Sequence, residues 1–138
     1  MEGYERALRS AGIPVDPSLI VEGNFMPSGG HAATHTLMSG RTRPDAIFCA
    51  NDLMAIGCYE ALKERGERIG ETIAVMGYDD QEVAQHLSPA LSSVLLPHRE
   101  MGKWCAEQLL TQSPNSLTQY RMDCPVIVRA SHVQKVGK

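Results

Sequence analysis

Residues 43–66, "RPDAIFCANDLMAIGCYEALKERG", contain a complete strand-to-helix transition. The apolar run ends at Ala50 and is of the kind that predicts a strand buried on both faces. A helical pattern follows at once, with Asp52 as the expected N-cap and Gly66 as the expected end. Asn51 then remains available to face a ligand. The expected core positions of this helix are Leu53, Ile56, Ala61 and Leu62.

The same alternation of strands and helices continues on both sides of this stretch. Helical patterns occupy residues 3–13, 27–40, 82–87 and 99–110, and strand-like runs occupy residues 18–25, 72–80 and 89–97. Extended segments are expected over residues 116–133. Strands separated by helices predict an α/β fold with a parallel sheet and right-handed crossovers. The last helix is expected to bury Met101, Trp104, Cys105, Leu109 and the stem of Gln108.

Composition narrows the class of protein. The 138 residues are 43% hydrophobic and 21% charged, with a net charge of −3, which is typical of a globular domain. Charges of both signs are interspersed, so this chain is not expected to bind DNA by itself, and because no apolar run approaches the length of a membrane span, it is not expected to enter a membrane. The four cysteines are Cys49, Cys58, Cys105 and Cys124, and none of them forms a CxxC pair. We therefore interpret them as buried free thiols in a reducing cytoplasm.

Polar and aromatic residues follow three of the predicted strands. Phe25, Asn51 and Asp79 stand at these strand ends, where open parallel sheets bind their ligands. An aromatic ring can stack on a sugar, and a carboxylate can accept hydrogen bonds from its hydroxyls. The alternatives are structural: Asn51 as a turn former, Asp79 and Asp80 as caps of the next helix, and Phe25 as a core residue.

The sequence gives little support for catalysis or for metal binding. It contains no GxGxxG, Walker, GxSxG or HExxH motif and no nucleophile with an activating partner, so an enzyme is not expected. His31 and His35 are four residues apart on one helix, a spacing that can hold a metal. Because no further ligand of suitable spacing is evident, we interpret them as solvent-facing or interface residues and expect neither a metal site nor a cofactor.

Three motifs in order, "ANDLMAIG", "MGYDD" and "PALSSVLLPHREMG", resemble the C-terminal half of LacI/GalR-family transcriptional regulators. The opening "MEGYERALRSAGI" and the closing "CPVIVRASH" are also similar, so the resemblance covers nearly the whole chain. It implies a three-layer parallel-sheet sandwich of the periplasmic-binding-protein-like type I class, in truncated form. In that family a sugar or nucleoside lies in a cleft between two subdomains.

The resemblance also implies roles for individual residues. Phe25 matches the aromatic residue that stacks on the ligand, Asn51 matches a ligand-contacting position, and Asp79 matches the acidic residue that binds ligand hydroxyls or amines. Residues 52–65 and 81–87 match the dimer-forming surface. Within that surface the expected contacts are Ile56, Tyr59 and Leu87, with core packing as the alternative.

The resemblance stops short of a whole regulator. Residues 1–92 and 120–138 correspond to the C-terminal subdomain, and residues 93–119 correspond to a return to the N-terminal subdomain. No helix-turn-helix domain is expected within residues 1–138, so operator DNA is expected to be bound only through such a domain outside them. The expected function is the effector-binding and dimerisation part of a cytoplasmic, sugar- or sugar-acid-responsive repressor. The alternative is a periplasmic sugar-binding protein of an ABC transporter, which requires a signal peptide.

Overall fold

The computed structural model describes residues 1–111 and 119–132. Expectations for residues 116–118 and 133 lie outside these ranges. The helices are α1 (Glu2–Ser10), α2 (Pro27–Ser39), α3 (Asp52–Glu64), α4 (Val83–His86) and α5 (His98–Thr111), with a 3-10 turn at Pro17–Leu19. The strands are β1 (Ala46–Phe48), β2 (Ala74–Asp79), β3 (Ser92–Leu95) and β4 (Val126–Ile127).

The four strands form one sheet in the order β1-β2-β3-β4. The first three are parallel, whereas β4 pairs antiparallel with β3, with Ile127 opposite Ser93. The α/β class is therefore confirmed, but the sheet is mixed rather than purely parallel. The reason is that the last segment of the chain runs back along the outer edge of β3 instead of crossing over to continue the parallel order.

Two glycines allow α2 and α3 to pack with their backbones in contact. A Cβ atom on Gly30 would lie 2.0 Å from the carbonyl oxygen of Met54, and one on Gly57 would lie 1.8 Å from that of Pro27. No side chain fits in these gaps. The α3 helix also packs on β2, so this glycine contact fixes α2 relative to the sheet through α3.

The hydrophobic core lies between this helix pair and the sheet. Ile47 on β1 is buried, but its neighbour Phe48 is 53% exposed. The expectation that β1 is buried on both faces is therefore wrong, because only one face of this edge strand is covered by α2 and α3. In α3, Ala61 and Leu62 are buried as expected, while Leu53 and Ile56 are only half-buried.

Residues 18–25 do not form the expected strand. The Asp16 carboxylate accepts hydrogen bonds from the backbone N–H and hydroxyl of Ser18, at 2.9 and 2.7 Å. This cap, together with Pro17 in the first turn, favours a 3-10 turn over residues 17–19. Residues 20–24 then run without a strand partner in the described part of the chain.

The terminal helices lie outside the core, since neither α1 nor α5 buries a residue. The expected core positions on α5 are wrong: Met101, Cys105 and Leu109 are exposed, and Trp104 and Gln108 are only half-buried. Their spacing is helical, but among the described residues no sheet lies beneath them. Trp104 instead stacks on Tyr120 of the returning chain, with ring centroids 5.9 Å apart.

The cysteines divide into two kinds. Cys49 and Cys58 are buried free thiols, as expected, whereas Cys105 and Cys124 are exposed and correct that expectation. Cys105 is exposed because it lies on α5, and Cys124 because it precedes the short edge strand β4. Within the described ranges, no helix is both long and apolar enough to cross a membrane.

Candidate functional site

The side chain of Asn51 joins the start of α3 to Phe25, two residues before α2 begins. Its Oδ1 accepts the backbone N–H of Met54 at 2.9 Å, so Asn51 is the N-cap of the helix. Its Nδ2 donates to the carbonyl oxygen of Phe25 at 3.1 Å. The expectation that Asp52 caps α3 is wrong, because the preceding residue holds that position. Asn51 therefore acts on the candidate site by positioning Phe25.

Phe25 presents its ring to solvent from a constrained backbone. The residue has φ of 60°, in the left-handed region that side chains other than glycine rarely adopt, and it is 63% exposed. The Asn24 Oδ1 accepts the N–H of Met26 at 3.0 Å, so polar side chains bind both the N–H and the C=O of the peptide group that follows Phe25. Its exposure excludes the core alternative. Backbone strain of this kind is concentrated at functional sites in proteins.

Asp52 is fully buried and ties three elements together. Its Oδ2 accepts the backbone N–H of Gln81 at 2.7 Å, and its Oδ1 accepts the hydroxyl of Ser93 at 2.6 Å. A Cβ on Gly77 would lie 2.2 Å from Oδ1, so only glycine leaves room for the carboxylate on β2. Burial raises the pKa of the Asp52 carboxyl, and the bonds from Ser93 and Gln81 oppose that rise.

Asp79 and Asp80 end β2 with two consecutive left-handed residues, at φ of 105° and 52°. The Asp80 carboxylate pairs with Arg129 at 2.5 Å, and both side chains are largely buried, so Asp80 is structural. Asp79 accepts one hydrogen bond, from the side-chain amide of Gln81 at 3.2 Å, and is half-buried. Neither caps α4, whose N-cap position is Glu82. Asp79 is thus the carboxylate with capacity for a ligand.

The Asn51 side chain contacts Phe25 directly. Asp79 is connected to Asn51 only indirectly, through Asp52 and Gln81. Asn51 is adjacent to Asp52, which binds the backbone of Gln81, whose side chain binds Asp79. A groove of about 690 Å3 opens beside β1 and is lined mainly by apolar residues, among them Phe25, Met1, Tyr4, residues 19–23 and the residues of β1. Asn51 and Asp79 are not among its lining residues, and the groove adjoins the Asn51 side chain through Phe25.

The three expected dimer contacts differ in exposure. Tyr59 is 7% exposed and belongs to the core, which is the alternative that the sequence left open. Its hydroxyl donates to the carbonyl oxygen of Pro89 at 3.0 Å, and burial raises its pKa to about 12. Ile56 and Leu87 are half-buried and retain surface, so their place in a dimer interface stays a prediction.

Sequence reasoning missed one neighbour of the paired histidines on α2. The carboxylate of Glu64, at the end of α3, contacts the Nε2 atoms of His31 and His35 at 3.0–3.1 Å. The expectation that no further ligand joins the two histidines is therefore wrong. Glu64 lies 33 and 29 residues away along the chain, and only the parallel packing of α2 on α3 brings it there.

Comparison with known proteins agrees with this architecture. The family profile described as periplasmic binding protein-like domain matches residues 1–132. The ribose operon repressor of Haemophilus influenzae is 40% identical over 121 residues, which are 88% of this chain and 36% of that protein. The HTH-type transcriptional repressor PurR of Vibrio atlanticus is 44% identical over 110 residues, or 80% and 33% of the two chains.

A solved structure, a complex of the transcriptional regulator CelR with cellobiose, superposes with a TM-score of 0.78 at 33% identity. The match covers 94% of this chain and 41% of that one. The chain thus spans about a third of the length of the curated relatives it matches. The resemblance to the effector-binding portion of LacI/GalR regulators is confirmed at this level.

Proposed function

Because the chain belongs to the periplasmic binding protein-like domain family, we propose that it is the effector-binding part of a sugar-responsive transcriptional repressor of the LacI/GalR type. The observation that carries the proposal is the exposed ring of Phe25, held in a strained conformation by Asn51. Two relatives are named repressors, which favours a regulator over a transporter's binding protein and over an enzyme.

The proposed binding mode uses a stacked ring and a carboxylate. The apolar face of a sugar packs on Phe25, while Asp79 accepts hydrogen bonds from neighbouring hydroxyls. Hydrogen bonds to a charged acceptor contribute about 1.5–3 kcal/mol each. One relative is named for a ribose operon and a structural neighbour holds cellobiose, which supports a sugar or sugar acid as the ligand class.

The proposed regulatory mechanism requires the rest of a longer, cytoplasmic protein. Ligand binding favours one closure state of two subdomains, and a homodimer then presents its helix-turn-helix domains to operator DNA in a different spacing. Effector and operator affinities are reciprocally coupled in such a mechanism, typically by about 1–3 kcal/mol. In the proposed dimer, Ile56 and Leu87 supply contact surface.

Ligand titration followed by amide NMR tests the binding proposal on the chain itself. We expect ribose or cellobiose to shift the amide signals of Phe25, Asn51 and Asp79 together and saturably. Phe25→Ala should weaken that affinity by about 2- to 10-fold, because it removes the stacking surface. Tyr120→Ala removes another exposed aromatic ring, outside the candidate site, and should leave the affinity unchanged.

Two outcomes would contradict the proposed site, and a third would contradict the proposed ligand class. The first is the absence of shifts at these three residues with every sugar and sugar acid tested. The second is an equal loss of affinity in the Phe25 and Tyr120 variants, which would show that the site does not depend on stacking at Phe25. Binding of a nucleoside such as adenosine in place of sugars would refute the ligand class while leaving the location intact.

A further inference from the structure

We infer that His31, His35 and Glu64 form a binding site for a divalent transition metal, of the kind that Zn²⁺ occupies, on the exposed surface of the α2–α3 pair. The site is separate from Phe25, Asn51 and Asp79 and does not depend on the proposed function. Two imidazole nitrogens and a carboxylate oxygen are a donor set that zinc uses with an open fourth position.

The three donor atoms already converge. The Nε2 atom of His31 lies 3.1 Å from both carboxylate oxygens of Glu64, and that of His35 lies 3.0 Å from Oε2. One donor atom from each residue lies within 4.8 Å of the other two. The two rings stand edge to face, with centroids 4.6 Å apart, as expected for residues one helical turn apart.

The distances between the donor atoms are close to those found between the ligands of a coordinated metal. With metal–ligand bonds of about 2.0–2.1 Å, neighbouring donors in a tetrahedral site lie about 3.3 Å apart. The nitrogen-to-oxygen distances are already slightly shorter than this value. The side chains are 35%, 36% and 57% exposed, so small rotations of the rings can complete the geometry and water can take the open position.

Contacts between α2 and α3 on both sides of the cluster hold its backbone, which keeps the donors together. The glycine contact between α2 and α3 fixes the helices at one end of the pair. At the other end, Arg65 donates to the carbonyl oxygen of Met38 at 3.0 Å, and this bond anchors the residue after Glu64 to α2. A metal therefore meets donors that are already ordered, which is the condition for specific binding.

Calorimetric titration of the chain with zinc sulfate tests the site. Thiolates are zinc ligands and the thiols of Cys105 and Cys124 are exposed, so the parent protein for this experiment carries Cys105→Ser and Cys124→Ser. We expect one Zn²⁺ per chain and a higher thermal unfolding midpoint with zinc than without it. Glu64→Gln and His35→Asn should each weaken binding by about 10- to 100-fold or more.

His98→Asn is the matched control, because His98 is exposed and lies on α5, outside the cluster. Its zinc affinity should equal that of the parent. All three substituted positions are at the surface, and circular dichroism verifies the fold of each variant. The inference is overturned if zinc produces no binding heat, or if Glu64→Gln and His35→Asn bind as tightly as the parent. It is also overturned if only His98→Asn loses binding.

Discussion

At the scale of single residues, Asn51 holds the cap position that the sequence suggested for Asp52, and Asp52 is a buried structural carboxylate. Asn51 and Asp52 are both good helix caps, so the local pattern identifies the position of the cap only to within one residue. The choice is made by residues far along the chain. Ser93 and Gln81 bind the Asp52 carboxylate and Gly77 leaves space for it, which places Asn51 at the cap. No local periodicity contains that information.

The pH dependence of stability tests the environment of Asp52. Burial raises its folded-state pKa above the unfolded value of about 3.9, so the folded state retains the proton to higher pH. Its contribution to the free energy of unfolding should therefore fall as pH rises from about 3.9 to the raised pKa, and then level off. Asp52→Asn cannot titrate and serves as the reference.

Urea unfolding of both proteins across the acidic range measures this contribution. The unfolding free energy of the native chain minus that of Asp52→Asn should decrease with increasing pH. A difference that increases with pH would mean that the bonds from Ser93 and Gln81 outweigh burial and lower the pKa instead.

At the scale of elements, the sequence predicted α2, α3, β2 and β3 within a few residues, because their periodicities and end signals are local. It failed for residues 18–25, where a strand-like composition has no partner strand and the Asp16 cap favours a 3-10 turn. It also failed for the core face of α5. Helical spacing identifies which residues share a face, but only a neighbouring element decides whether that face is buried.

The α2–α3 contact gives a prediction at this scale. Gly57→Ala should lower the free energy of unfolding by about 1–3 kcal/mol or more, because its Cβ meets the backbone of Pro27 and the helices must separate. Gly102→Ala is the control, since a Cβ there meets nothing within 4 Å and alanine favours the helix. The unfolding free energy of the Gly102→Ala variant should not fall. Urea denaturation measures both, and equal effects would contradict the packing argument.

At the scale of the whole molecule, a well-packed centre carries two exposed terminal helices. The centre consists of α2, α3 and the sheet, whereas α1 and α5 bury no residue. The sequence predicted Phe25, Asn51 and Asp79 as a group because strand ends converge. It could not predict how far apart they lie, or that Glu64 joins two histidines, because these depend on the angle at which helices pack.

Hydrogen exchange measures how much more strongly the core is protected than the exposed terminal helices. Backbone amides of α3 should be strongly protected, because the helix is buried in the core. Those of α5 should exchange orders of magnitude faster, because local opening of an exposed helix costs little free energy. Mass spectrometry of peptic fragments resolves the two helices. Similar protection in both would show that α5 is held by contacts beyond those of the described residues.

The position of α3 has a mechanical consequence. Asn51 lies at one end of the helix and Glu64 at the other, and thirteen residues make a rod about 20 Å long. If the rod pivots by about 3° where Asn51 binds the Phe25 backbone, its far end moves by about 1 Å. Metal–ligand bonds tolerate only about 0.2 Å. The contacts that hold α3 against α2, at the two glycines and between Arg65 and Met38, must therefore limit such a pivot to well below this angle if the donors around Glu64 are to keep a metal geometry.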